Sequence, residues 1–109
     1  MRTLKCQTYW ARIYISGPIE LAKQIIRQDC LLKGLCVTIE PTTYIYTGGE
    51  EVGYVVGLNN YPRFSMTEHE IDIRAEDLAL KLRDGTHQHS CMVQTPEQTK
   101  WFSLRAENS

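Results

Sequence analysis

The sequence has no excess of positive charge, no long hydrophobic run and no recognisable catalytic signature. Twelve basic residues against thirteen acidic ones leave a net charge of −1 over 109 residues. This balance argues against a general nucleic-acid or anionic-membrane binder, which needs a basic excess. No apolar stretch approaches the roughly 20 residues that cross a bilayer. The first seven residues lack the apolar segment of a signal peptide, so we expect a cytoplasmic protein.

Catalytic and metal-binding motifs are equally scarce. The sequence contains no GxSxG, HExxH, P-loop or GxGxxG context, and this favours a protein without enzymatic activity. His87, His89 and Cys91 alternate and could present metal ligands on one strand face, but no fourth ligand is evident. We therefore expect neither a metal nor a cofactor.

The four cysteines do not form a metal-binding or redox motif. Cys6, Cys30, Cys36 and Cys91 contain no CxxC pair, and without an export signal the expected state is a reduced, buried thiol. Cys30 and Cys36 flank the end of a predicted helix, so the sequence leaves their pairing open.

The first half of the chain predicts a strand, a helix and an interrupted second strand. Residues 8–16 alternate between two faces, as a strand does. A helix then starts at Ser16-Gly17-Pro18, with Ser16 or Gly17 as its cap, and ends at Gly34. Strand character begins again at Leu35. Pro41 predicts a bulge or an edge position, because proline cannot donate to a ladder.

The second half predicts a hairpin, a second helix and two short strands. Strand character resumes over 42–47, Gly48-Gly49 suits a tight hairpin, and a third strand covers 52–58. A capping box at Ser65 or Thr67 begins a helix that Gly85 ends. Strands follow over 87–95 and 100–104, and residues 105–109 form a polar, frayed tail.

This order, β-α-β-β-α-β with a terminal β, predicts an α+β fold of the ferredoxin-like, split βαβ kind. Right-handed crossovers place both helices on one face of an antiparallel sheet with strand order 4-1-3-2, and the extra strand lies at the C-terminus. We expect a single domain over 1–109, with its core between about 8 and 104.

The sheet face away from the helices is the predicted binding surface. The apolar alternation puts Ile13 and Val56 toward the helices, so the residues that alternate with them lie on the open face of the sheet. Aromatic rings can stack on a base, an arginine can pair with phosphate, and glycines leave room for close approach. Including the loop after the third strand, the predicted ligand-binding residues are Trp10, Arg12, Tyr14, Tyr44, Tyr46, Gly53, Gly57, Asn59, Tyr61 and Arg63.

Other interpretations of the same residues stay open. The aromatic face could be a dimer interface, or strand five could cover it with Trp101 and Phe102. Arg63 beside a helix N-terminus could hold a phosphate, or its loop could be purely structural. Glu50 and Glu51 could carry out acid–base chemistry, or they could keep the hairpin tip hydrated.

The stretch YIYTGGEEVGYVVGLNNYPRF, with the Gly17-Pro18 helix start before it, resembles small uncharacterised proteins encoded by bacteriophages. The similarity covers roughly Tyr9 to Trp101. It implies a role in the cytoplasm of an infected bacterium, where small phage proteins counter host defence by sequestering a nucleotide signal or by blocking a defence protein.

Together these observations predict a non-enzymatic binding protein that sequesters a small anionic ligand, most plausibly a nucleotide-type signal, in phage counter-defence. It is expected to self-associate. The alternatives are an inhibitor that binds a host defence protein directly and a small metal-independent hydrolase that uses Glu50 or Glu51.

Overall fold

The structure is a computed structural model that describes residues 1–105. In chain order the elements are β1 (Trp10–Ser16), α1 (Ile19–Lys33), β2 (Val37–Tyr46), β3 (Gly49–Asn59), a 3-10 turn (Pro62–Phe64), α2 (Glu68–Gly85), β4 (Ser90–Gln94) and β5 (Thr99–Ser103). Residues 106–109 of the predicted polar tail lie outside the described chain. Within 1–105, neither helix is long and apolar enough to cross a membrane.

The predicted α+β fold is confirmed. The five strands form one antiparallel sheet in the order β2-β3-β1-β4-β5. This is the predicted 4-1-3-2 order with the extra strand added beside β4. Both helices cover the same face, and the apolar side chains of that face form the core with them. The core contains Ala11, Ile13, Ile15, Ala22, Ile26, Leu35, Tyr54, Val56, Leu58, Ile71, Ala75, Leu78, Ala79, Leu82, Cys91 and Val93.

Local signals place the helix ends almost as expected. Gly34 ends α1 in the left-handed conformation, with φ of 61°, and its amide donates to Cys30 at 2.8 Å. Thr67 and Glu70 form the predicted capping box of α2. The start of α1 differs by one residue from the prediction: Pro18 itself is the cap residue and no side chain caps it.

The hairpin between β2 and β3 departs from the predicted interruption at Pro41. The register runs unbroken from Val37↔Leu58 to Tyr46↔Gly49, so there is no bulge. β2 is an edge strand, which is the other position predicted for this proline. The loop consists of Thr47 and Gly48, and Gly48 supplies a φ of 90°.

The hairpin extends beyond the rest of the sheet. β1 pairs with β3 only as far as Ser16↔Gly53, so residues 43–52 form a two-stranded projection that we call the hairpin arm. Ile45 and Val52 on its helix-side face are 79% and 73% exposed. A two-stranded ribbon has little stability of its own, so this arm needs an attachment to the main sheet.

Charged side chains hold the two helices together. Asp29 of α1 is only 4% exposed and accepts a hydrogen bond from Lys81 of α2 at 2.8 Å. Lys33 of α1 pairs with Asp77 of α2, and Lys81 lies 3.2 Å from Asp77. The hydrogen bond from Lys33 lowers the pKa of Asp77. A buried carboxylate without such partners would be costly, so the cluster compensates its own desolvation.

We predict that Asp29→Asn lowers the free energy of unfolding by about 2 kcal/mol, because it leaves Lys81 without its closest carboxylate. Urea denaturation measures the loss. The control is Glu20→Gln, which removes the exposed Glu20–Lys23 pair on the same helix and should change stability by less than about 0.5 kcal/mol. Equal effects of the two substitutions would contradict the structural role given to Asp29.

Candidate functional site

Side chains on the open face of the sheet meet in a groove beside the hairpin arm. This aromatic groove has a volume of about 250 Å³. Its walls come from β1, β2, β4 and β5, through Tyr14, Tyr44, Tyr46, Met92 and Trp101. Trp101 is 65% exposed and Tyr46 is 53% exposed, so the rings are accessible to a planar ligand.

Tyr44 attaches the arm to the main sheet. Its hydroxyl accepts a hydrogen bond from the Ile15 amide at 3.0 Å and donates one to the Tyr54 carbonyl at 2.7 Å. Ile15 on β1 and Tyr54 on β3 lie opposite each other in the sheet. The hydroxyl of Tyr44, which belongs to β2, therefore links these two neighbouring strands. Burial raises the pKa of Tyr44, and the bond from the Ile15 amide opposes that rise.

Gly53 makes this reach possible. The ring of Tyr44 crosses β3 above Gly53, where an added Cβ would lie 2.6 Å from Tyr44 Cε2 and 2.5 Å from the Ile15 carbonyl oxygen. Any side chain at this position would collide with both. The gap predicted for a ligand above Gly53 is therefore filled by the protein's own tyrosine.

Glu51 supplies the carboxylate of the groove. It is the register partner of Tyr44 and shares the open face with Tyr46, whose hydroxyl lies 3.4 Å from Glu51 Oε1. Glu50 has the opposite parity and points to the other face of the arm. The two glutamates, which the sequence alone could not separate, thus have different surroundings.

A polar groove of about 400 Å³ continues from the aromatic groove. The two share Ser16, Tyr46, Glu51 and Ser90 as lining residues, and the polar groove adds Gln88, His89 and Arg105. Small-molecule sites commonly measure about 300–1,000 Å³ and combine apolar walls with a few polar groups. The connected grooves fit that description.

The structure divides the ten predicted ligand-binding residues between two ends of the sheet. Tyr14, Tyr44 and Tyr46 line the aromatic groove, and Gly53 lies beneath the ring of Tyr44. Trp10 pairs with Asn59 at the far end of β1. Tyr61 and Arg63 follow Asn59 in the chain and lie outside both grooves.

Trp10 and Arg12 form their own contact instead of joining the groove. The Arg12 guanidinium lies 4.8 Å from the centre of the Trp10 ring, a cation–π geometry. Gly57 lies between Arg12 and Thr38, and a Cβ there would be 2.5 Å from Thr38 Oγ1. These residues remain predictions as binding groups, although no groove that we describe unites them with Tyr14.

The loop after β3 is tied to its surroundings. Asn60 donates to the Gln7 carbonyl at 2.8 Å and accepts from the Met66 amide at 2.7 Å. The Met66 amide, just before the helix N-terminus that was considered with Arg63 as a phosphate site, is therefore already bonded. The Tyr61 ring lies 5.3 Å from that of Phe64, and a hydrogen bond with Cys36 raises the pKa of Tyr61.

The groove also contains residues that sequence reasoning did not assign to a ligand. Trp101 pairs with Met92 across β4 and β5, and this register puts both on the open face. Strand five does not cover the open face: Trp101 lines the groove and stays exposed, whereas Phe102 packs against the core. Ser90 and Arg105 have no sequence signal, because only the chain path brings them near Tyr46.

The histidines and cysteines do not gather. Strand β4 starts at Ser90, not at the predicted residue 87, and His87 adopts a left-handed φ of 58° before it. Residues 1–105 contain no cluster of three metal-binding side chains. All four cysteines are free in this structure, so Cys30 and Cys36 are unpaired with each other.

Comparison with known proteins finds similarity in structure only. No protein-family model matches the chain, and no curated protein matches it in sequence. A solved structure of a phage SAM lyase in complex with S-methyl-5'-thioadenosine superposes with a TM-score of 0.65, at 14% identity, over 95% of both chains. A phage SAM lyase in the apo state gives 0.56 at 18% identity, over 98% of this chain and 96% of the other.

At these identities the similarity shows a shared fold, and the two solved structures are of phage proteins. It contradicts the predicted non-enzymatic binding protein, because both structures are of an enzyme. The predicted anionic ligand is not supported either: the ligand bound to the neighbour is a thioether nucleoside without a phosphate. The wrong prediction rested on the lack of a recognisable catalytic motif in the sequence.

We predict that Tyr44→Phe destabilises the protein by about 1–2 kcal/mol, because the Ile15 amide and the Tyr54 carbonyl lose the hydroxyl that joins them. Hydrogen exchange at the Ile15 amide should become faster. Tyr46→Phe is the matched control, since its hydroxyl is exposed and 3.4 Å from a carboxylate. Unchanged protection of Ile15 in Tyr44→Phe would contradict the bridging role.

We predict that Gly53→Ala costs at least about 2 kcal/mol and displaces the Tyr44 ring, because the added methyl group overlaps backbone on β1 as well as the ring. Chemical denaturation and tyrosine NMR shifts report the two effects. Gly49→Ala on the same strand meets only the flexible side chain of Tyr46, at 3.1 Å, and should be tolerated. If both variants are equally stable, the close crossing over Gly53 is not as described.

Proposed function

We propose that the protein is an enzyme that binds S-adenosylmethionine in the aromatic groove and releases S-methyl-5'-thioadenosine. The observation that carries the proposal is the fold shared with a phage SAM lyase over 95% of both chains, one form of which holds this thioether. The groove supplies the second argument, since its walls offer rings for an adenine and a carboxylate for a cation.

The chemistry suits a groove of this composition. Release of S-methyl-5'-thioadenosine breaks the bond between the sulfonium sulfur and the γ-carbon of the amino-acid chain, and the sulfur keeps both electrons. The positive charge on sulfur disappears in this step. Aromatic faces and a carboxylate attract a cation, while a partly dry site favours a transition state in which charge is being lost.

Tyr14, Tyr46 and Trp101 are the rings available for the nucleoside and the sulfonium. Tyr44 is a positioning residue, because its hydroxyl already bonds to Ile15 and Tyr54. Glu51 is the carboxylate that lines both grooves. It can attract the sulfonium, or it can accept a proton from the departing four-carbon chain.

When the bond to sulfur breaks, the γ-carbon must form a new bond, and two routes can provide it. The substrate's own carboxylate can close onto this carbon and give a lactone without loss of a proton, or a base can remove a neighbouring proton and give an unsaturated amino acid. Neither route adds water, as the word lyase requires. The two four-carbon products are isomers, so proton NMR of the reaction mixture distinguishes them and assigns the role of Glu51.

Self-association and a place of action complete the proposal. The exposed Ile45 and Val52 on the helix-side face of the arm are suited to contact with a second copy. Such an enzyme would act in the cytoplasm of an infected host and remove its methyl donor, which serves phage counter-defence. Sedimentation velocity would measure the mass of the particle.

We predict that the purified protein converts S-adenosylmethionine to S-methyl-5'-thioadenosine, detected by chromatography, and that Glu51→Gln slows this at least about tenfold. Glu50→Gln is the matched control: the neighbouring carboxylate lies on the other face of the arm and should leave the rate unchanged. Absence of the thioether product with the unaltered protein overturns the proposal. Equal rates for the two variants remove Glu51 from it.

A further inference from the structure

The polar groove has a composition unlike that of the aromatic groove that it joins. The aromatic groove presents rings and a thioether, whereas the polar groove presents Gln88, His89 and Arg105. Glu51 lines both and thus stands where they meet. A ligand that extends through the two would therefore need a planar, weakly polar end and a charged end.

Arg105 is brought to this position by the end of the sheet. The Leu104 amide donates to the His89 carbonyl at 2.8 Å, and the Arg105 amide donates to Ser103 Oγ at 3.1 Å. These bonds continue the β4–β5 pairing by one step, to Leu104 opposite His89, and Arg105 follows Leu104 into the lining of the polar groove. Among the described residues that line the two grooves, Arg105 is the one arginine or lysine.

An α-amino acid group needs both charges that this pair of grooves offers. Its ammonium requires an acceptor, which Glu51 provides, and its carboxylate requires a donor, for which a guanidinium is well shaped because it can form two parallel hydrogen bonds. A nucleoside alone would leave the arginine without a function in binding.

We infer that Arg105, together with Glu51, forms a subsite for the α-amino acid end of a nucleoside sulfonium or thioether ligand, while the aromatic groove holds the nucleoside. This inference rests on the proposed function and extends it to specificity: the site discriminates ligands that carry an α-amino acid from those that end at the thioether.

Titration calorimetry with two unreactive probes tests the subsite. S-adenosylhomocysteine carries the amino acid group, and S-methyl-5'-thioadenosine does not. The unaltered protein should bind the first about tenfold more tightly than the second. Arg105→Gln should abolish this difference and leave the affinity for S-methyl-5'-thioadenosine within about twofold. Arg27→Gln, an exposed arginine on α1 far from both grooves, is the matched control and should keep the difference.

The outcomes separate this inference from the proposed function. If the protein cleaves S-adenosylmethionine but Arg105→Gln weakens both probes equally or neither, the subsite is wrong and the proposed function stands. If the unaltered protein binds neither probe and releases no thioether, both are wrong. If adenosine monophosphate binds more tightly than adenosine and this advantage requires Arg105, the arginine is a phosphate site, which also overturns the inference.

Discussion

The bridge that Tyr44 makes between β1 and β3 is the interaction on which the candidate site depends. A hairpin of two strands has too little buried surface to hold a fixed angle to its sheet. Here one phenol hydroxyl from β2 reaches across β3 and bonds to an amide of β1 and a carbonyl of β3. Tyr46 and Glu51 belong to the same arm, so their position relative to Tyr14 and Trp101 follows from that attachment.

The bridge also gives Tyr44 and Tyr46 different roles in the groove. A hydroxyl that accepts one backbone bond and donates another has little capacity left for a substrate. Tyr44 therefore builds the wall of the groove, whereas Tyr46 keeps an exposed hydroxyl beside Glu51.

Local patterns were sufficient to predict the fold and the direction of most side chains. Period-two alternation assigned the core and open faces of β1 and β3, and Gly34 and the Thr67–Glu70 box marked helix ends that the structure retains. The long unbroken β2 was not predictable, because proline in a strand is compatible with a bulge as well as with an edge. That choice depends on strand order, which is a property of the whole sheet.

The site itself was predictable only in part, because shared parity does not mean proximity. Trp10 and Tyr14 face the same way, yet four residues of strand separate them by about 13 Å, and only Tyr14 reaches the groove. The gaps at Gly53 and Gly57 are real but are filled by Tyr44 and Thr38. Met92 and Trp101 join the groove because β4 pairs with β1 from the other end of the chain, and no local pattern contains that pairing.

Pro41 has a consequence for how copies of this chain can meet. In the β2–β3 register Pro41 pairs with Tyr54. The two residues of this pair do not hydrogen-bond to each other, so the N–H of any other residue at position 41 would point outward from the free edge of the sheet. Proline has no backbone N–H to donate. A neighbouring chain that added its own strand beside β2 would find the row of donors interrupted at mid-length, which discourages open-ended stacking into fibrils through this edge.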